Sequence, residues 1–325
     1  MKIVFAGEYP AGTLKKFGEV LPGKEFELVP VTGPKEYEEL TDAEVIVLRI
    51  FKAYRNTIEN NGKLRLIHRW GAGVDSVDVD AATEHGVLVA NTPGANAYAV
   101  SELAVLLMLA LGRNLQAHTR SIASGVWSRT MFLDQTFTLN KKIVGLIGGG
   151  NIGRQVAAKV QAFGASVQYY DTFRLPEQLE RECGMKYVPF EELLRTSDIV
   201  SLHVPLTEET RHLLDGEKLA MLKPGAFVIN TARGGLIDDD ALLAAVLEKR
   251  IAGAGLDCPE REPLSPDHPM LRQPNIVITP HIGGATSDLA DAMIPMIADN
   301  ILRLAQGREV QYVVNPQVKK VHPAS

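Results

Sequence analysis

A glycine-rich hexapeptide near the middle of the chain has the spacing of a dinucleotide-binding loop. Gly148-Gly149-Gly150-Asn151-Ile152-Gly153 satisfies G-x-G-x-x-G, follows the apolar run Lys142 to Ile147 and opens a segment with helical periodicity. In this context Gly148 supplies the tight turn, Gly150 the close approach to a pyrophosphate and Gly153 the contact of helix with strand. Free N–H groups and the positive end of the helix would then face the phosphates.

An acidic residue follows this loop at the distance expected for a ribose ligand. Asp171 comes directly after the apolar run Ser166 to Tyr170 and can accept hydrogen bonds from both hydroxyls of an adenosine ribose. Because the carboxylate would repel a 2'-phosphate, NAD is favoured over NADP, although Arg174 lies nearby and could serve a phosphate. Alternatively, the glycines only close a turn and Asp171 caps a loop. The complete pattern of strand, loop, helix, strand and acid favours the dinucleotide site.

Three ionisable residues further along the chain could bind an organic acid and move a proton. Arg233 follows the apolar run Ala226 to Asn230, at the strand end where doubly wound sheets place ligands, and its planar guanidinium suits a carboxylate. His281 follows the run Ile276 to Thr279, and imidazole transfers protons near neutral pH. Glu262 could pair with His281, raise its pKa and orient its ring. Alone, these residues could be a surface ion pair, a structural histidine and a solvated glutamate, so the hypothesis depends on the three together.

The elements that would position these residues alternate between apolar strands and amphipathic helices, which is typical of βαβ units and a parallel sheet. A first group of strands predicts a small α/β domain: Lys2 to Ala6, Glu44 to Leu48, Leu66 to His68 and Val87 to Ala90. A second group of six strands predicts a doubly wound sheet: Lys142 to Ile147, Ser166 to Tyr170, Asp198 to Leu202, Ala226 to Asn230, Ala252 to Leu256 and Ile276 to Thr279.

Helical segments accompany both groups of strands. Tyr98 to Leu111 is rich in alanine and leucine and predicts a long buried helix that crosses between the domains and is ended by Gly112. The segment Ser287 to Leu304 also has a helical pattern and would return to the first domain, which would then be discontinuous. Two helices are predicted in the second domain: Ile152 to Phe163, and Asp240 to Glu248 with a capping carboxylate in Asp238 to Asp240.

Length and composition fit a globular chain of two domains. The chain has 325 residues, of which 46% are hydrophobic and 22% charged, enough for two cores. A net charge of -5 supplies no basic field for phosphates, so nucleic acids and anionic membranes are disfavoured as partners and a small molecule is favoured. Cys183 and Cys258 have neither disulfide nor metal-ligand spacing, so no disulfide framework and no metal site is predicted.

The apolar segments of the sequence do not suggest export or membrane insertion. Met1 to Pro10 has the pattern of a strand and a turn, without the features of a secretory signal. The longest apolar stretch, Leu103 to Leu111, is short of the roughly 20 residues that span a bilayer. A cytoplasmic location is therefore expected.

Taken in chain order, the glycine loop, Arg233, Glu262 and His281 resemble the D-isomer-specific 2-hydroxyacid dehydrogenases, most closely the catalytic core of the 3-phosphoglycerate dehydrogenases. The resemblance extends from about Val45 to Asn315. Besides the glycine loop, it is carried by these segments: Gly71-Ala72-Gly73-Val74-Asp75, Asn91-Thr92-Pro93-Gly94, Ser101-Glu102-Leu103-Ala104, Thr231-Ala232-Arg233-Gly234-Gly235, Gly255-Leu256-Asp257, Glu262-Pro263-Leu264 and Pro280-His281-Ile282-Gly283. It implies an NAD-binding Rossmann domain at residues 99–286 and a smaller, flavodoxin-like substrate-binding domain at residues 1–98 and 287–325.

The resemblance also implies a role for each site residue. Arg233 would bind the carboxylate of a D-2-hydroxyacid or 2-keto acid between the domains, and His281, paired with Glu262, would exchange the proton. The residues implied to bind NAD are Gly148, Gly150, Gly153, Asn151 and Ile152 at the pyrophosphate, Asp171 at the ribose, Asp257 at the nicotinamide carboxamide, and Thr231, Ala232, Gly283 and Gly284 along the cofactor. The residues implied to bind substrate are Arg69, at a distal phosphate, and Gly71, Ala72, Gly73 and Val74 through their backbone amides.

Several alternatives remain open at this stage. Cys258-Pro259 replaces the hydrophobic and aromatic pair usual after the aspartate, and Trp70 stands where a small residue is common, so the substrate is not determined. 3-Phosphoglycerate, hydroxypyruvate and glyoxylate types all remain. An NADH-sensing, corepressor-like binding protein of the same fold is the alternative function. An L-lactate or malate type of enzyme would have its glycine loop near the N-terminus, whereas this loop begins at Gly148.

The resemblance finally implies a homodimer. The family uses the region after the long helix for dimer contacts, which corresponds to Gln116 to Thr138 here and contains Trp127 and Phe132. The other interpretation of this segment is an ordinary surface loop.

Overall fold

The computed structural model describes residues 1–21 and 23–320. The chain divides into two compact units, one formed by Met1–Asn96 together with the segment that begins at Thr286, the other by Ala97–Ala285. The first boundary lies at the start of the long helix at Ala97, rather than after residue 98 as the sequence predicts. Each unit contains one parallel sheet.

The N-terminal unit alternates strands and helices along the chain. Their bounds are β1 (Lys2–Ala6), α1 (Thr13–Val20), β2 (Glu27–Val31), α2 (Pro34–Glu38), β3 (Val45–Leu48), α3 (Arg55–Asn60), β4 (Leu66–Arg69), α4 (Val79–Glu84) and β5 (Leu88–Ala90). Over the described residues these strands form a five-stranded parallel sheet in the order β2-β1-β3-β4-β5. That order is the flavodoxin-like, doubly wound one, so the predicted fold of this unit is confirmed.

Strand β2 is absent from the sequence-based prediction, and its composition explains why. The strand contains Pro30, which pairs in register with Phe5 of β1. Proline cannot donate to a sheet and is therefore confined to edge strands, which is the position of β2. A run broken by proline gives no clear strand signal, although it can occupy an edge.

The second unit contains the longer series of elements. Their bounds are α5 (Ala97–Gly112), α6 (Leu115–Ala123), β6 (Ile143–Ile147), α7 (Asn151–Ala162), β7 (Ser166–Tyr170), α8 (Glu177–Cys183), β8 (Met185–Tyr187), α9 (Phe190–Thr196), β9 (Ile199–Leu202), α10 (Gly216–Ala220), β10 (Phe227–Asn230), α11 (Asp239–Leu247), β11 (Gly253–Leu256) and β12 (Ile276–Ile278). In the part of the chain that the structure describes, seven parallel strands pair in the order β12-β11-β10-β9-β6-β7-β8.

This order is that of a Rossmann sheet with one added strand, and it confirms the predicted doubly wound fold. The prediction of six strands was too low, because β8 is a three-residue edge strand whose sequence Met-Lys-Tyr gives little periodicity. The order reverses between β6 and β9, and ligands of such sheets bind outside the carboxyl ends of the strands at that point. Helix α11 begins after Asp238, whose carboxylate accepts the N–H of Ala241 at 2.9 Å, as the capping pattern predicts.

Helix α5 packs tightly against the second sheet, and two glycines make this possible. A Cβ atom on Gly255 of β11 would lie 2.9 Å from Cβ of Leu107, so only glycine allows this approach. Gly112 is the last residue of α5, and its Cβ would lie 3.1 Å from the ring of Phe137. The helix thus ends at Gly112, as predicted, and close packing against Phe137 explains the glycine.

No single helix of the described residues has the length and apolar composition to cross a membrane; α5 and α6, which bend by 60°, pass that test only as a pair. Most of α5 is instead buried in the second unit. The C-terminal helix α12 (Leu289–Ala305) belongs to the N-terminal unit, as the predicted return of the chain requires. Its Met293, Ile297 and Ile301 share a buried core with Phe5 and Phe17.

Candidate cofactor and active site

The glycine loop connects β6 to α7 at the point where the strand order reverses. Gly148 has φ of 107°, and a Cβ there would lie 2.6 Å from the backbone oxygen of His203. A Cβ on Gly153 would lie 2.2 Å from the carbonyl oxygen of Gly148, so the helix and the turn touch. Gly150 instead faces open space, since no atom of the described residues lies within 4 Å of the position that a Cβ would take. The three glycines thus provide the turn, the close packing and the room that a pyrophosphate needs.

The first turn of α7 offers its amides to an anion. Gly150, the residue before the helix, has no side chain to cap the first N–H groups. Asn151 and Ile152 are the first helical residues. The Asn151 side chain accepts a hydrogen bond from Arg154 at 2.8 Å, so the Arg154 guanidinium lies at this end of the helix. Free N–H groups and the positive end of the helix dipole favour a phosphate here.

Asp171 lies directly after β7 and is linked to the glycine loop. One of its oxygens accepts the N–H of Gly149 at 2.8 Å and the other accepts the N–H of Phe173 at 3.1 Å. A carboxylate has about four acceptor sites, so both oxygens can also accept ribose hydroxyls. The loop contact means that Asp171 both shapes the turn and stays in place for a ribose.

Arg174, the residue that left NADP open, is engaged elsewhere. Its guanidinium forms a two-pronged pair with Glu180, at 2.8 and 3.0 Å, and lies 5.1 Å from the ring centre of Tyr187. Hydrogen bonds from Arg174 and from Tyr169 lower the pKa of Glu180 to about 2. Since a 2'-phosphate would have to compete with this pair, the arrangement favours NAD.

Two buried polar atoms at neighbouring strand ends support the same ligand. Nδ1 of His203, after β9, and Oγ1 of Thr231, after β10, are buried and have no hydrogen-bond partner among the described residues. Burial lowers the pKa of His203 to about 3, so its ring is neutral, and Nε2 shares a hydrogen bond of 2.9 Å with Ser201. Buried polar atoms normally have partners, and a bound ligand commonly provides them. With the open face of Gly150 and the carboxylate of Asp171, these residues fit NAD.

The turn after β10 presents Arg233. Asn230 at the strand end holds this turn by accepting the N–H of Ala232 at 3.0 Å and by donating to the carbonyl oxygen of Arg233 at 2.8 Å. The Arg233 side chain is half-buried, and its Nη1 donates to the Ala232 carbonyl at 2.7 Å. Asn230 is absent from the predicted site, although its place at the end of an apolar strand was a signal for it.

Asp257, after β11, ties the neighbouring loop to this strand end. Its buried carboxylate accepts the hydroxyl of Thr279 at 2.6 Å and the N–H groups of Ile282 and Gly283, each at 2.8 Å. Gly283 fits so closely that its Cβ would lie 3.0 Å from an oxygen of Asp257. The geometry therefore gives Asp257 an organising function for the loop that contains His281, Gly283 and Gly284.

His281 and Glu262 form the pair that the sequence predicts. Nδ1 of His281 lies 2.9 Å from one oxygen of Glu262 and 3.2 Å from the other. His281 has φ of 53°, and its N–H donates to the carbonyl oxygen of Asp257 at 2.9 Å, which holds a conformation unusual for histidine. Hydrogen bonds with Cys258 and with Glu262 raise the pKa of His281 above its ordinary value of 6.5. The ring is thus held through one nitrogen and stabilised in its protonated form.

Cys258 joins this pair to the turn of Arg233. Its thiol donates to the carbonyl oxygen of Ala232 at 3.6 Å, and burial raises the pKa of the thiol. A Cβ on Gly234 would lie 2.1 Å from the carbonyl oxygen of Pro259, so the two loops are in direct contact. The sequence marks Cys258 only as a departure from the usual residues; the structure places it between Ala232 and His281.

The predicted substrate residues of the N-terminal unit form a loop after β4. Arg69 donates from Nε to the carbonyl oxygen of Gly73 at 3.0 Å, and from Nη1 to the carbonyl oxygens of Leu48 and Arg49 at 2.7 and 3.0 Å. The N–H of Gly71 donates to Oγ1 of Thr92 at 3.0 Å, and the carbonyl oxygen of Ala72 accepts from Asn91. Arg69 and Gly71 therefore shape the loop that contains Ala72, Gly73 and Val74.

Comparison with known proteins places these features in one group. Residues 105–283 match the family model described as D-isomer specific 2-hydroxyacid dehydrogenase, NAD binding domain. The chain is 40% identical over 287 residues to D-3-phosphoglycerate dehydrogenase of Methanocaldococcus jannaschii, covering 88% of this chain and 54% of that protein. It is 37% identical over 294 residues to glyoxylate reductase of Thermococcus litoralis, covering 88% of each.

Among solved structures, the fold is similar to that of NAD-dependent formate dehydrogenase from Staphylococcus aureus in complex with NAD. The TM-score is 0.84 at 30% sequence identity, over 97% of this chain and 99% of that one. The chain thus spans about half the length of its phosphoglycerate dehydrogenase relative but most of the length of the other two proteins.

Proposed function

The chain belongs to the D-isomer-specific 2-hydroxyacid dehydrogenases, a family of NAD-dependent oxidoreductases, and on this basis we propose that it interconverts a 2-keto acid and a D-2-hydroxyacid. The observation that carries the proposal is the contact of 2.9 Å between His281 and Glu262, in the unit that also contains the glycine loop. An imidazole held by a carboxylate, at the same carboxyl edge of the sheet as a dinucleotide-binding loop, has the geometry of a general acid–base pair.

The proposed division of labour follows from the geometry. Bound NADH supplies the hydride that the keto carbon accepts. Arg233 binds the carboxylate of the substrate, because its planar fork matches the two oxygens. His281 uses Nδ1 to contact Glu262, so Nε2 donates the proton to the keto oxygen, which becomes the hydroxyl group of the product. A positioned acid of this kind contributes roughly 10²- to 10⁴-fold in rate.

The proposed substrate is a short 2-keto acid of the glyoxylate or hydroxypyruvate type. Arg69 was expected at a distal phosphate, but three of its hydrogen bonds go to backbone carbonyl oxygens around the loop of Gly73. A guanidinium used in this way is better suited to hold the amides of Ala72, Gly73 and Val74 in position than to bind a phosphate. The glyoxylate reductase compared above, which this chain matches over 88% of the length of each protein, supports a short acid.

A panel of 2-keto acids with NADH and with NADPH, followed by the absorbance of the reduced cofactor, tests the proposal. One short acid with NADH should give turnover, and His281→Ala should remove most of it while NADH still binds. His212→Ala is the matched control, because His212 also has a positive φ and a contact of 2.9 Å with a glutamate, Glu260. No turnover with any acid, or equal losses in the two variants, would contradict the proposal.

The alternative of an NADH-sensing binding protein is not favoured, since the relatives are named dehydrogenases or reductases.

We also propose a homodimer that uses the region from α6 onward. Apolar side chains are unusually exposed there: Leu115, Ile122, Val126, Met131, Leu133 and, at 80%, Trp127. Large apolar side chains exposed along one segment are typical of a protein interface. Sedimentation should give twice the chain mass, and Trp127→Asp should shift the equilibrium toward monomer; a wild-type monomer would refute the dimer.

A further inference from the structure

Cys258, Glu262 and His281 form a cluster with a chemistry beyond proton transfer. One potential ligand atom from each residue, a sulfur, a carboxylate oxygen and a ring nitrogen, lies within 4.8 Å of the other two. Cys258 is buried, whereas the side chains of Glu262 and His281 are 41% and 47% exposed, so an ion can enter from solvent on their side. We propose that this cluster is an inhibitory Zn²⁺ site.

The three ligand types select the ion. Thiolate and imidazole together suit Zn²⁺ and disfavour Mg²⁺ and Ca²⁺, which prefer oxygen ligands. Zinc bonds of about 2.0–2.3 Å in a tetrahedron place the ligand atoms about 3.3–3.7 Å apart. The ligand atoms lie within 4.8 Å of one another, so side-chain rotations that bring the widest pair closer by about 1 Å complete the tetrahedral spacing. The fourth position remains for water or a substrate oxygen.

The backbone already holds two of the ligands close together. The residue before Cys258, Asp257, accepts the N–H groups of Ile282 and Gly283 at 2.8 Å, and its carbonyl oxygen accepts the N–H of His281 at 2.9 Å. These bonds connect the end of β11 to the loop after β12, so Cys258 and His281 need little movement to bind one ion. Ordered supports of this kind normally increase metal affinity.

Metal binding at this cluster is incompatible with proton transfer by His281. The thiol proton of Cys258 and the proton on the nitrogen that faces Glu262 would pass to solvent, and the ion would replace the hydrogen bond of 2.9 Å. The ring would then be a neutral, metal-bound imidazole. Its Nε2 keeps a proton, but that proton is far less acidic than the proton of an imidazolium ion, and Glu262 could no longer orient the ring. The inhibition rests on the proposed function, whereas binding of the ion does not.

Cobalt absorption tests the binding without any assay of turnover. Titration of the full chain with Co²⁺ should give a thiolate-to-cobalt charge-transfer band in the near ultraviolet that saturates at one ion per chain and disappears on addition of Zn²⁺. Cys258→Ser should abolish the band, and Glu262→Gln should weaken binding at least about tenfold. Cys183→Ser is the matched control, since the sequence has two cysteines, and it should keep the band. No band, or a band that is lost with Cys183, would overturn the site.

Steady-state kinetics test the inhibition separately. Zn²⁺ should inhibit keto-acid reduction reversibly, with full recovery on addition of EDTA. Cys258→Ser should raise the half-inhibitory Zn²⁺ concentration by about 10- to 100-fold, measured against its own uninhibited rate. A cobalt band without inhibition by Zn²⁺ would refute the inhibitory role. If no keto acid is reduced, the proposed function fails, while the cobalt band still decides whether the site exists.

Discussion

Substitution of Glu262 by glutamine removes the negative charge from the His281 ring with little change in shape. The two side chains are 2.9 Å apart, and hydrogen bonds with Cys258 and Glu262 raise the pKa of His281. During keto-acid reduction the protonated ring is the active form, so turnover falls as the pH rises through this pKa. Without the carboxylate the pKa is lower, and the loss of turnover should begin at a lower pH.

The size of the change follows from distance and exposure. Two unit charges about 4 Å apart interact by about 4 kcal/mol at an effective dielectric constant of about 20. This value is an upper limit here, because the side chains of Glu262 and His281 are 41% and 47% exposed and solvent screens their charges. Opposite charges at such distances displace pKa values by about 1–3. We take the lower end, so the alkaline limb of the kcat/KM profile should move down by about one pH unit, equivalent to about 1.4 kcal/mol.

The assay is the pH dependence of kcat/KM for the preferred keto acid with NADH, from neutral pH to the alkaline limit of stability. Glu260→Gln is the matched control, because Glu260 lies in the same loop but contacts His212 at 2.9 Å. This control should leave the alkaline limb in place, whatever its effect on the rate. An unchanged limb in Glu262→Gln, or the same movement in both variants, would refute the assignment of His281 as the acid.

Three further predictions concern the cofactor site and its surroundings. Gly150→Ala should weaken NADH binding in a fluorescence titration while the Tm stays near wild type, because the added Cβ meets only open space. Gly153→Ala should lower both the affinity for NADH and the Tm, because its Cβ would lie 2.2 Å from a carbonyl oxygen. Asp171→Ala should raise the NADPH-to-NADH ratio of kcat/KM, and a constant ratio would contradict its ribose contact. Glu180→Gln should lower the free energy of unfolding in urea at about pH 7, because a carboxylate with a lowered pKa stabilises the fold above its ordinary pKa of 4.5. The difference in stability between wild type and variant should vanish as the pH falls toward about 2. A difference that persists there would exclude the ion pair with Arg174 as its cause.

Local patterns were sufficient for the fold and for the geometry of the glycine loop. The spacing of Gly148, Gly150 and Gly153 predicts a turn, an open face and a close contact, and each appears in the structure because the constraint lies within six consecutive residues. Apolar runs buried on both faces of a parallel sheet also give a strong signal. The edge strands β2 and β8 were missed, since an edge tolerates Pro30 and a very short run.

Residue types alone were sufficient to propose the pair of Glu262 and His281, because few side chains can orient a proton-carrying imidazole. Their separation of 2.9 Å, and the entry of Cys258 into the same cluster, depend on the adjacency of β11 and β12, which no spacing along the chain expresses. Arg69 illustrates the same limit of the sequence. An arginine at this position suggests a phosphate ligand, but the backbone after β4 surrounds the guanidinium with carbonyl oxygens, and the path of that backbone is decided by tertiary packing.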